Sequence, residues 1–378
     1  MNNNRCAAGI DNFSTISHKL NNARVGLLTG PSAQTRAFRS TPDVIASNCR
    51  LKYIFASEHG LYGDLQDGLG DGEKYIDRET GAEVISLYES HQPPPADLLL
   101  ELDYLLYDIQ DVGARFYTYL STLTDGMTAA ASAGIPIIVF DRPGMIGLDR
   151  IEGNILNPKF SSYVGRFPVP TRYGLTIGEY ARYINNSQNI GCDLTVVPCE
   201  GLTRRMYYDD TGLAFINPSP NINSVDCAIN YVGTCLFEAT NVSEGRGTTQ
   251  PFSLIGAPWI DNRVLTEGMK EYGFEGVHLR PAWFTPLYGK YKGERCEGVQ
   301  IHITDRGRYQ PFEFAVRMID ELRARFTEFK MTTYIDLLFG DDLLRTEYIG
   351  RPAVDRFFAM NRLSLANWAE SSYHERIY

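Results

Sequence analysis

The stretch from Tyr104 to Phe140 reads YLLYDIQDVGARFYTYLSTLTDGMTAAASAGIPIIVF, and it decides the fold class. It opens with a continuous apolar run over Tyr104 to Ile109 and closes with another over Ile135 to Phe140. Between them, the alanine-rich segment from Ser121 to Ala133 predicts a helix, and Gly134 predicts its end. A strand, a helix and a second strand in this order predict a βαβ unit with parallel strands.

Similar apolar runs occur on both sides of this unit. Their apolarity is continuous rather than alternating, which is typical of strands whose two faces are both covered by helices in a parallel sheet. A capping box from Thr176 to Glu179 predicts one more helix, which extends to about Asn186. The further predicted strands are Val25 to Thr29, Leu51 to Ala56, Val84 to Leu87 and Leu194 to Pro198.

The pattern changes in the second half of the chain. Residues 198–258 are rich in Gly, Pro, Asn and Ser and contain no long periodic element, which is unusual in a compact domain unless the segment is functional. Beyond Trp259, helices near 264–272 and 311–326 accompany alternating strands such as 299–303. We therefore predict an α/β protein with a Rossmann-like parallel sheet domain, residues 1–254, followed by a smaller α+β C-terminal domain, residues 255–378.

The charge of the chain limits its partners. Among 378 residues, 36 are Lys or Arg and 46 are Asp or Glu, so the net charge is −10 and a nucleic acid partner is not expected. An anionic ligand would need a local cluster of arginines. No stretch approaches the ~18 apolar residues of a membrane helix, and the N-terminus does not resemble a secretory signal. We expect a cytoplasmic protein with no membrane partner; its oligomeric state is left open.

Residues that directly follow the predicted strands are candidates for the site, because open parallel sheets bind ligands outside the carboxyl ends of their strands. Glu58 and His59, in the segment SEHG, follow the second strand. A carboxyl group partly enclosed by apolar neighbours can act as a general acid, and His59 could orient it or act as a base. The alternatives are a helix cap or surface ion pair for Glu58 and a structural role for His59.

The fourth and fifth strands are followed by further polar residues. Asp108 and Asp111 lie at one strand end, and Arg142 follows the next strand. Arg115 and Tyr117, with Tyr119 nearby, offer a guanidinium and aromatic rings suited to a ligand that carries a carboxylate and an apolar face. A structural ion pair between Asp111 and Arg115 is the alternative.

The irregular region contains a dense polar segment, FEATNVSEGRGTT, from Phe237 to Thr249. Glu238, Asn241, Glu244 and Arg246 lie within it, and such loops usually carry function when they are not linkers. The segment lacks the lysine and glycine spacing of a phosphate-binding loop. A second glycine-rich stretch, residues 68–72, predicts a mobile loop.

The remaining motifs narrow the chemistry. The seven cysteines are scattered, which favours buried reduced thiols, and the six histidines lack metal-ligand spacing, so we expect neither a metal nor a cofactor. No G-x-S-x-G elbow of a serine hydrolase is present. Paired carboxylates beside aromatic side chains remain, and they are typical of glycoside cleavage.

At these residues the chain resembles the bacterial exo-β-N-acetylmuramidases of glycoside hydrolase family 171. The resemblance covers about residues 20–330. The matching segments are GLLTGPSA from Gly26, SEHG from Ser57, YDIQDVGARFYTY from Tyr107, FDRPGMIG from Phe140, CLFEATNVSEGRGTTQPF from Cys235, LIGAPW from Leu254 and KYKGERCEGVQIHITD from Lys290. The acidic segment after Gly63 and the last ~50 residues depart from the family pattern.

The resemblance implies a cleft between the two domains and hydrolysis of the non-reducing terminal N-acetylmuramic acid of peptidoglycan fragments. It also implies that Glu58 is the catalytic glutamate, with His59 beside it. Local chemistry suggests Glu244, Glu238 or Asp108 as the second catalytic group, an arginine on the lactyl carboxylate, and Tyr117 and Tyr119 against the sugar. The rival hypotheses are a non-catalytic binding protein for muropeptides or other acidic sugars, and a nucleotide-dependent enzyme.

Overall fold

The computed structural model describes residues 6–66, 74–87 and 93–378. The predicted loop at residues 68–72 lies outside these ranges. Within them the strands are β1 (Arg24–Thr29), β2 (Arg50–Ala56), β3 (Tyr75–Ile76), β4 (Glu83–Ser86), β5 (Tyr104–Asp108), β6 (Ile137–Phe140), β7 (Glu152–Ile155), β8 (Pro170–Arg172), β9 (Leu194–Val197), β10 (Leu254–Ala257), β11 (Val277–Phe284) and β12 (Cys296–Ile303).

Seven of the described strands of the first half form one sheet in the order β3-β4-β2-β1-β5-β6-β9, and β7 and β8 form a separate antiparallel pair. The seven-stranded sheet is mostly parallel. All neighbours are parallel except β3 and β4. The pairing of β1 with β5 ends at Thr29 and Asp108, so the carboxyl ends of both strands reach the same edge of the sheet. The predicted α/β class with a Rossmann-like sheet is confirmed, and each predicted strand of the first half lies within about two residues of an observed one.

The described helices of the first half match the sequence pattern at the two places where it was strongest. The helix predicted in the βαβ unit is observed, and Gly134 follows its last residue with a φ of +70°. The predicted capping box is also present, because the Thr176 side chain accepts from the Glu179 amide. These helices are α1 (Ser17–Leu20), α2 (Thr41–Ala46), α3 (Ala96–Leu99), α4 (Tyr119–Ala133) and α5 (Ile177–Ser187).

The second half contains an antiparallel sheet in the order β10-β12-β11, which helices cover. The first of these helices, α6, was not predicted from the sequence. It packs against α8. The predicted domain boundary after residue 254 stays a prediction. The helices are α6 (Val225–Thr234), α7 (Asn262–Lys270), α8 (Pro311–Arg325), α9 (Tyr334–Phe339), α10 (Leu343–Thr346) and α11 (Arg351–Ser371).

One buried apolar cluster connects the two halves, since it runs from β1 and β5 through α6 to α8 and α11. Trp368 of α11 donates a hydrogen bond to the carbonyl of Tyr173 at 2.9 Å, which fixes the last long helix onto the first domain. All seven cysteines are free thiols, and all except Cys49 are buried, as the sequence predicts. None of the described helices has the length and apolarity needed to cross a lipid bilayer.

Candidate active site

The SEHG turn follows β2 at the carboxyl edge of the parallel sheet. His59 has a φ of +73° and Gly60 a φ of +76°. A positive φ in a residue with a side chain costs about 1 to 3 kcal/mol and is found where the surroundings impose it. Nδ1 of His59 donates a hydrogen bond to the Leu65 carbonyl at 3.0 Å, so the orientation of the ring is fixed.

Glu58 and His59 both line a cavity of about 270 Å³. Glu58 is only 9% exposed, and its Oε2 accepts a hydrogen bond from Oγ1 of Thr118 at 2.7 Å. Thr118 also lines the cavity and directly precedes α4. The βαβ unit therefore holds the Glu58 carboxyl group in one orientation at the cavity wall.

Another part of the lining comes from the irregular region. Glu238 belongs to the 3₁₀ turn Cys235–Ala239 that continues α6, and Arg246 lies in the SEGRGTT segment. Nη1 of Arg246 is 2.6 Å from Oε1 of Glu238, and its guanidinium lies 4.9 Å from the centre of the Phe252 ring. The cavity lining therefore combines the carboxyl groups of Glu58 and Glu238 with the guanidinium of Arg246.

Aromatic side chains form much of the remaining wall. Tyr231 contacts Phe116 and Phe252 edge to face, with ring centres 5.2 and 4.7 Å apart, and Tyr334 of α9 also lines the cavity. Tyr117 is 7% exposed, lies outside the lining, and packs edge to face on buried Tyr119 at 4.8 Å. The sequence predicted that Tyr117 and Tyr119 contact the sugar, but the aromatic residues that line the cavity are different ones.

Asp108 and Arg142 form a buried ion pair outside the cavity lining. Nε and Nη2 of Arg142 lie 2.5 and 2.8 Å from the two oxygens of Asp108. Oγ1 of Thr41 donates a further hydrogen bond to Asp108 at 2.5 Å. This pair joins the ends of β5 and β6 to the start of α2.

Asp111 and Arg115 are also buried, and each has its own structural partners. Asp111 accepts hydrogen bonds from the Tyr173 hydroxyl and the Gly113 amide, and burial raises its pKa to about 6. Arg115 donates to four backbone carbonyls rather than forming the ion pair with Asp111 that the sequence suggested. These carbonyls belong to Asn154, Val169, Leu338 and Phe339.

Glu244 and Asn241 connect the irregular segment to other parts of the chain outside the cavity lining. Glu244 accepts from Nζ of Lys290 at 2.9 Å and lies 3.5 Å from Nη1 of Arg246. The Asn241 side chain donates to the Glu328 carbonyl at 2.8 Å and accepts from the Lys330 amide at 2.7 Å. Neither side chain lines the cavity.

The predicted site residues thus fall into two groups. Glu58, His59, Glu238 and Arg246 meet at the cavity, whereas Asp108, Asp111, Arg115, Tyr117, Arg142, Asn241 and Glu244 lie outside its lining. Sequence reasoning missed Thr118, which lies inside the YDIQDVGARFYTY motif, and Tyr231 and Tyr334, for which no local signal exists. Among the described residues, no cluster of three or more His, Cys, Asp or Glu side chains is arranged to hold a metal ion.

Two family models match nearly the whole chain. The model described as exo-beta-N-acetylmuramidase NamZ, N-terminal, covers residues 25–226, and its C-terminal counterpart covers residues 229–378. The chain is also 40% identical over 376 residues to the peptidoglycan beta-N-acetylmuramidase NamZ of Bacillus subtilis (strain 168). The aligned region covers 98% of this chain and 91% of that protein.

Solved structures agree with this relationship. One DUF1343 family protein from Bacteroides fragilis is 31% identical, superposes with a TM-score of 0.91, and is covered over 100% of both chains. A second DUF1343 family protein from the same organism is 26% identical, with a TM-score of 0.80 and 99% of both chains covered. The chain therefore belongs to the exo-β-N-acetylmuramidase NamZ family, as the sequence motifs predict.

Proposed function

We infer that the protein is a glycoside hydrolase that releases N-acetylmuramic acid from the non-reducing end of peptidoglycan fragments. Membership of the NamZ family and the 40% identity to the Bacillus subtilis enzyme support this activity. The structural observation that carries it is a cavity of about 270 Å³ lined by Glu58, Glu238 and Arg246. Its volume suits one sugar residue, and its charged groups suit cleavage of a sugar that bears a carboxylate.

Glu58 is the general acid of this proposal. Its carboxyl group donates a proton to the glycosidic oxygen as the bond to the anomeric carbon breaks. The hydrogen bond from Thr118 at 2.7 Å supports this role, because it fixes the carboxyl group at the cavity wall. The fixed orientation of the carboxyl group also reduces the entropy that must be lost on reaching the transition state.

Glu238 is the second carboxyl group, in place of Glu244, since Glu238 lines the cavity and Glu244 does not. It stabilises the positive charge that develops at the anomeric carbon or activates the attacking water. Arg246, rather than Arg115 or Arg142, pairs with the lactyl carboxylate. Both other guanidinium groups are buried against protein partners outside the cavity.

His59 contacts the substrate in this proposal. Its Nδ1 is occupied by the Leu65 carbonyl, so Nε2 is the ring atom that can meet a sugar hydroxyl. The strained backbone of His59 supports a functional role, because such strain is retained at sites where geometry matters. Tyr231, Phe252 and Tyr334 provide the apolar wall of the cavity.

The Glu58→Gln variant tests the general acid. We expect kcat for the disaccharide of N-acetylmuramic acid and N-acetylglucosamine to fall by about 10²- to 10⁴-fold, because the amide cannot protonate the leaving oxygen. With para-nitrophenyl β-N-acetylmuraminide the fall is smaller, since its good leaving group needs less protonation. Release of sugar and of nitrophenol measures the two rates.

Glu267→Gln is the matched control, because Glu267 is exposed on α7. It is expected to hydrolyse both substrates at the wild-type rate. Equal rates for Glu58→Gln and wild type would disprove the assignment of Glu58. Tight calorimetric binding of the disaccharide by the wild type without turnover would instead favour the non-catalytic binding protein.

The expected partners follow from this activity. The substrate is a small saccharide that contains muramic acid, and we propose neither a cofactor nor a nucleic acid partner. The cytoplasmic location expected from the sequence stays a prediction, which fractionation of cells followed by activity measurement would test.

A further inference from the structure

Arg246 lies close to two carboxyl groups. The position of its guanidinium group depends on which of the two it pairs with. Nη1 is 2.6 Å from Oε1 of Glu238, which lines the cavity, and 3.5 Å from Oε1 of Glu244, which does not. The Glu244 side chain is only 6% exposed, so its charge needs a partner inside the protein. Glu244 therefore competes with Glu238 for Arg246 unless another cation neutralises it.

Lys290 is that cation. It lies in the connection between β11 and β12, and its ammonium group reaches the irregular segment from the second sheet. Nζ donates to Oε2 of Glu244 at 2.9 Å, to the Phe237 carbonyl at 2.7 Å and to the Val242 carbonyl at 3.1 Å. These three bonds use all three donors of the ammonium group.

The three bonds connect the parts of the chain that carry the charged cavity residues. Phe237 directly precedes Glu238, and Val242 lies on the approach to Glu244. A single ammonium group thus neutralises Glu244 and also anchors the backbone beside Glu238. The side chain of Lys290 lies outside the cavity lining, so it acts through other residues.

We propose that Lys290 is a positioning residue for the hydrolysis of the muramic acid glycoside. By neutralising Glu244, it leaves Arg246 on Glu238 at the cavity wall, where the guanidinium meets the carboxylate of the substrate. This inference rests on the proposed function. It adds a residue that determines specificity for an anionic sugar without touching it.

The Lys290→Met variant tests the proposal. Methionine keeps the apolar stem but removes the charge, so the buried Glu244 draws Arg246 away from Glu238. We expect kcat/KM for the N-acetylmuramic acid disaccharide to fall at least about tenfold, mainly through an increase in KM. Lys290→Arg, which keeps the positive charge, is expected to stay within about threefold of wild type.

The double variant Lys290→Met with Glu244→Gln separates charge from packing. Removal of the competing carboxylate should return most of the lost kcat/KM, because Glu244 then no longer draws Arg246 away from Glu238. A double variant no better than Lys290→Met would overturn the proposal, as would a Lys290→Met enzyme with the wild-type KM. Lys290→Gln replaces Lys290→Met if the latter does not fold.

One control variant and one binding measurement complete the experiment. Lys292→Met removes an exposed lysine two residues away and should leave kcat and KM unchanged. Absence of turnover in the wild type would refute the proposed function by itself. In that case calorimetric binding of N-acetylmuramic acid still tests Lys290, with the same order of affinities expected among the variants.

Discussion

Asp108 and Arg142 show how a charged residue at a strand end can serve the fold rather than the ligand. Both side chains are almost completely buried, and they face each other through two hydrogen bonds. Removal of one partner from a buried ion pair leaves the other charge uncompensated, which costs far more than the loss of an exposed pair.

We predict that Asp108→Asn lowers the free energy of unfolding by about 3 to 5 kcal/mol, because Arg142 then lacks its carboxylate. Urea denaturation measures the change. Asp103→Asn is the matched control, since Asp103 pairs with Arg24 where both side chains are 40% or more exposed. Its cost should stay below about 1 kcal/mol, and equal losses for the two variants would contradict the prediction.

The sequence predicted Glu58 and His59, which line the cavity. It could not distinguish Arg246, which also lines the cavity, from Arg115 and Arg142, which do not. All three arginines follow strands or lie in polar loops. What distinguishes them is the partner of each guanidinium group, which depends on residues far away in the chain. Arg115, for example, binds carbonyls more than 200 residues downstream.

Among the elements, α5 depends on a carboxyl group at the end of β6. Asp141 follows β6, and its oxygens accept from the Gly178 amide at 2.8 Å, the Thr176 hydroxyl at 2.8 Å and the Tyr378 hydroxyl at 2.7 Å. A Cβ atom at Gly178 would lie 2.7 Å from the Asp141 carboxyl carbon, so only glycine allows this approach.

We predict that Asp141 makes stability depend on pH. Burial raises its pKa from 3.8 to about 6, so the folded protein holds this proton more tightly than the unfolded chain. The resulting stabilisation is present below about pH 4 and is lost as pH rises through 6, a change of about 3 kcal/mol. Asp111, whose pKa burial also raises to about 6, adds to the wild-type trend with the same sign.

Urea denaturation of wild type and Asp141→Asn between pH 4 and pH 7 tests this prediction. The stability advantage of wild type over the variant should shrink as pH rises, because asparagine does not titrate. Asp193→Asn, at an exposed position, should show no such trend. A difference between wild type and Asp141→Asn that is constant over this range would contradict the assignment.

The elements were predictable where the apolar pattern has a period or ends at a clear signal. The strands of the parallel sheet and the capping box of α5 were therefore found. Helix α6 was missed because nearly all of its residues are buried, including Asn230 and Thr234. A helix with so few exposed residues has no continuous polar face, which is the signal that marks an amphipathic surface helix.

In the whole molecule, Arg115 connects the two halves of the chain. Its guanidinium donates to Asn154 and Val169 in the first half and to Leu338 and Phe339 at the end of α9. Burial lowers its pKa to about 9, so the group stays charged at neutral pH and suits the partial negative charge of a helix C-terminus.

We predict that Arg115→Met lowers the free energy of unfolding by at least about 3 kcal/mol, because buried carbonyls lose their donors. Arg115→Lys should lose less, since its ammonium keeps three donors. Urea denaturation compares both with Arg205→Met, which removes a guanidinium whose side chain is 92% exposed. A loss for Arg115→Met as small as for Arg205→Met would show that the connection contributes nothing.

The cavity brings together segments that lie far apart along the chain, with Glu58 near the start, Glu238 in the middle and Tyr334 near the end. The entropy cost of closing a loop grows with its length, and contacts between distant segments form slowly. The parallel sheet also needs such closures, since β1 pairs with β5 and β6 pairs with β9, but both of these lie within the first two hundred residues. The cavity is therefore complete only when the last third of the chain has docked, so a nascent chain that lacks this part cannot present the full lining to a ligand.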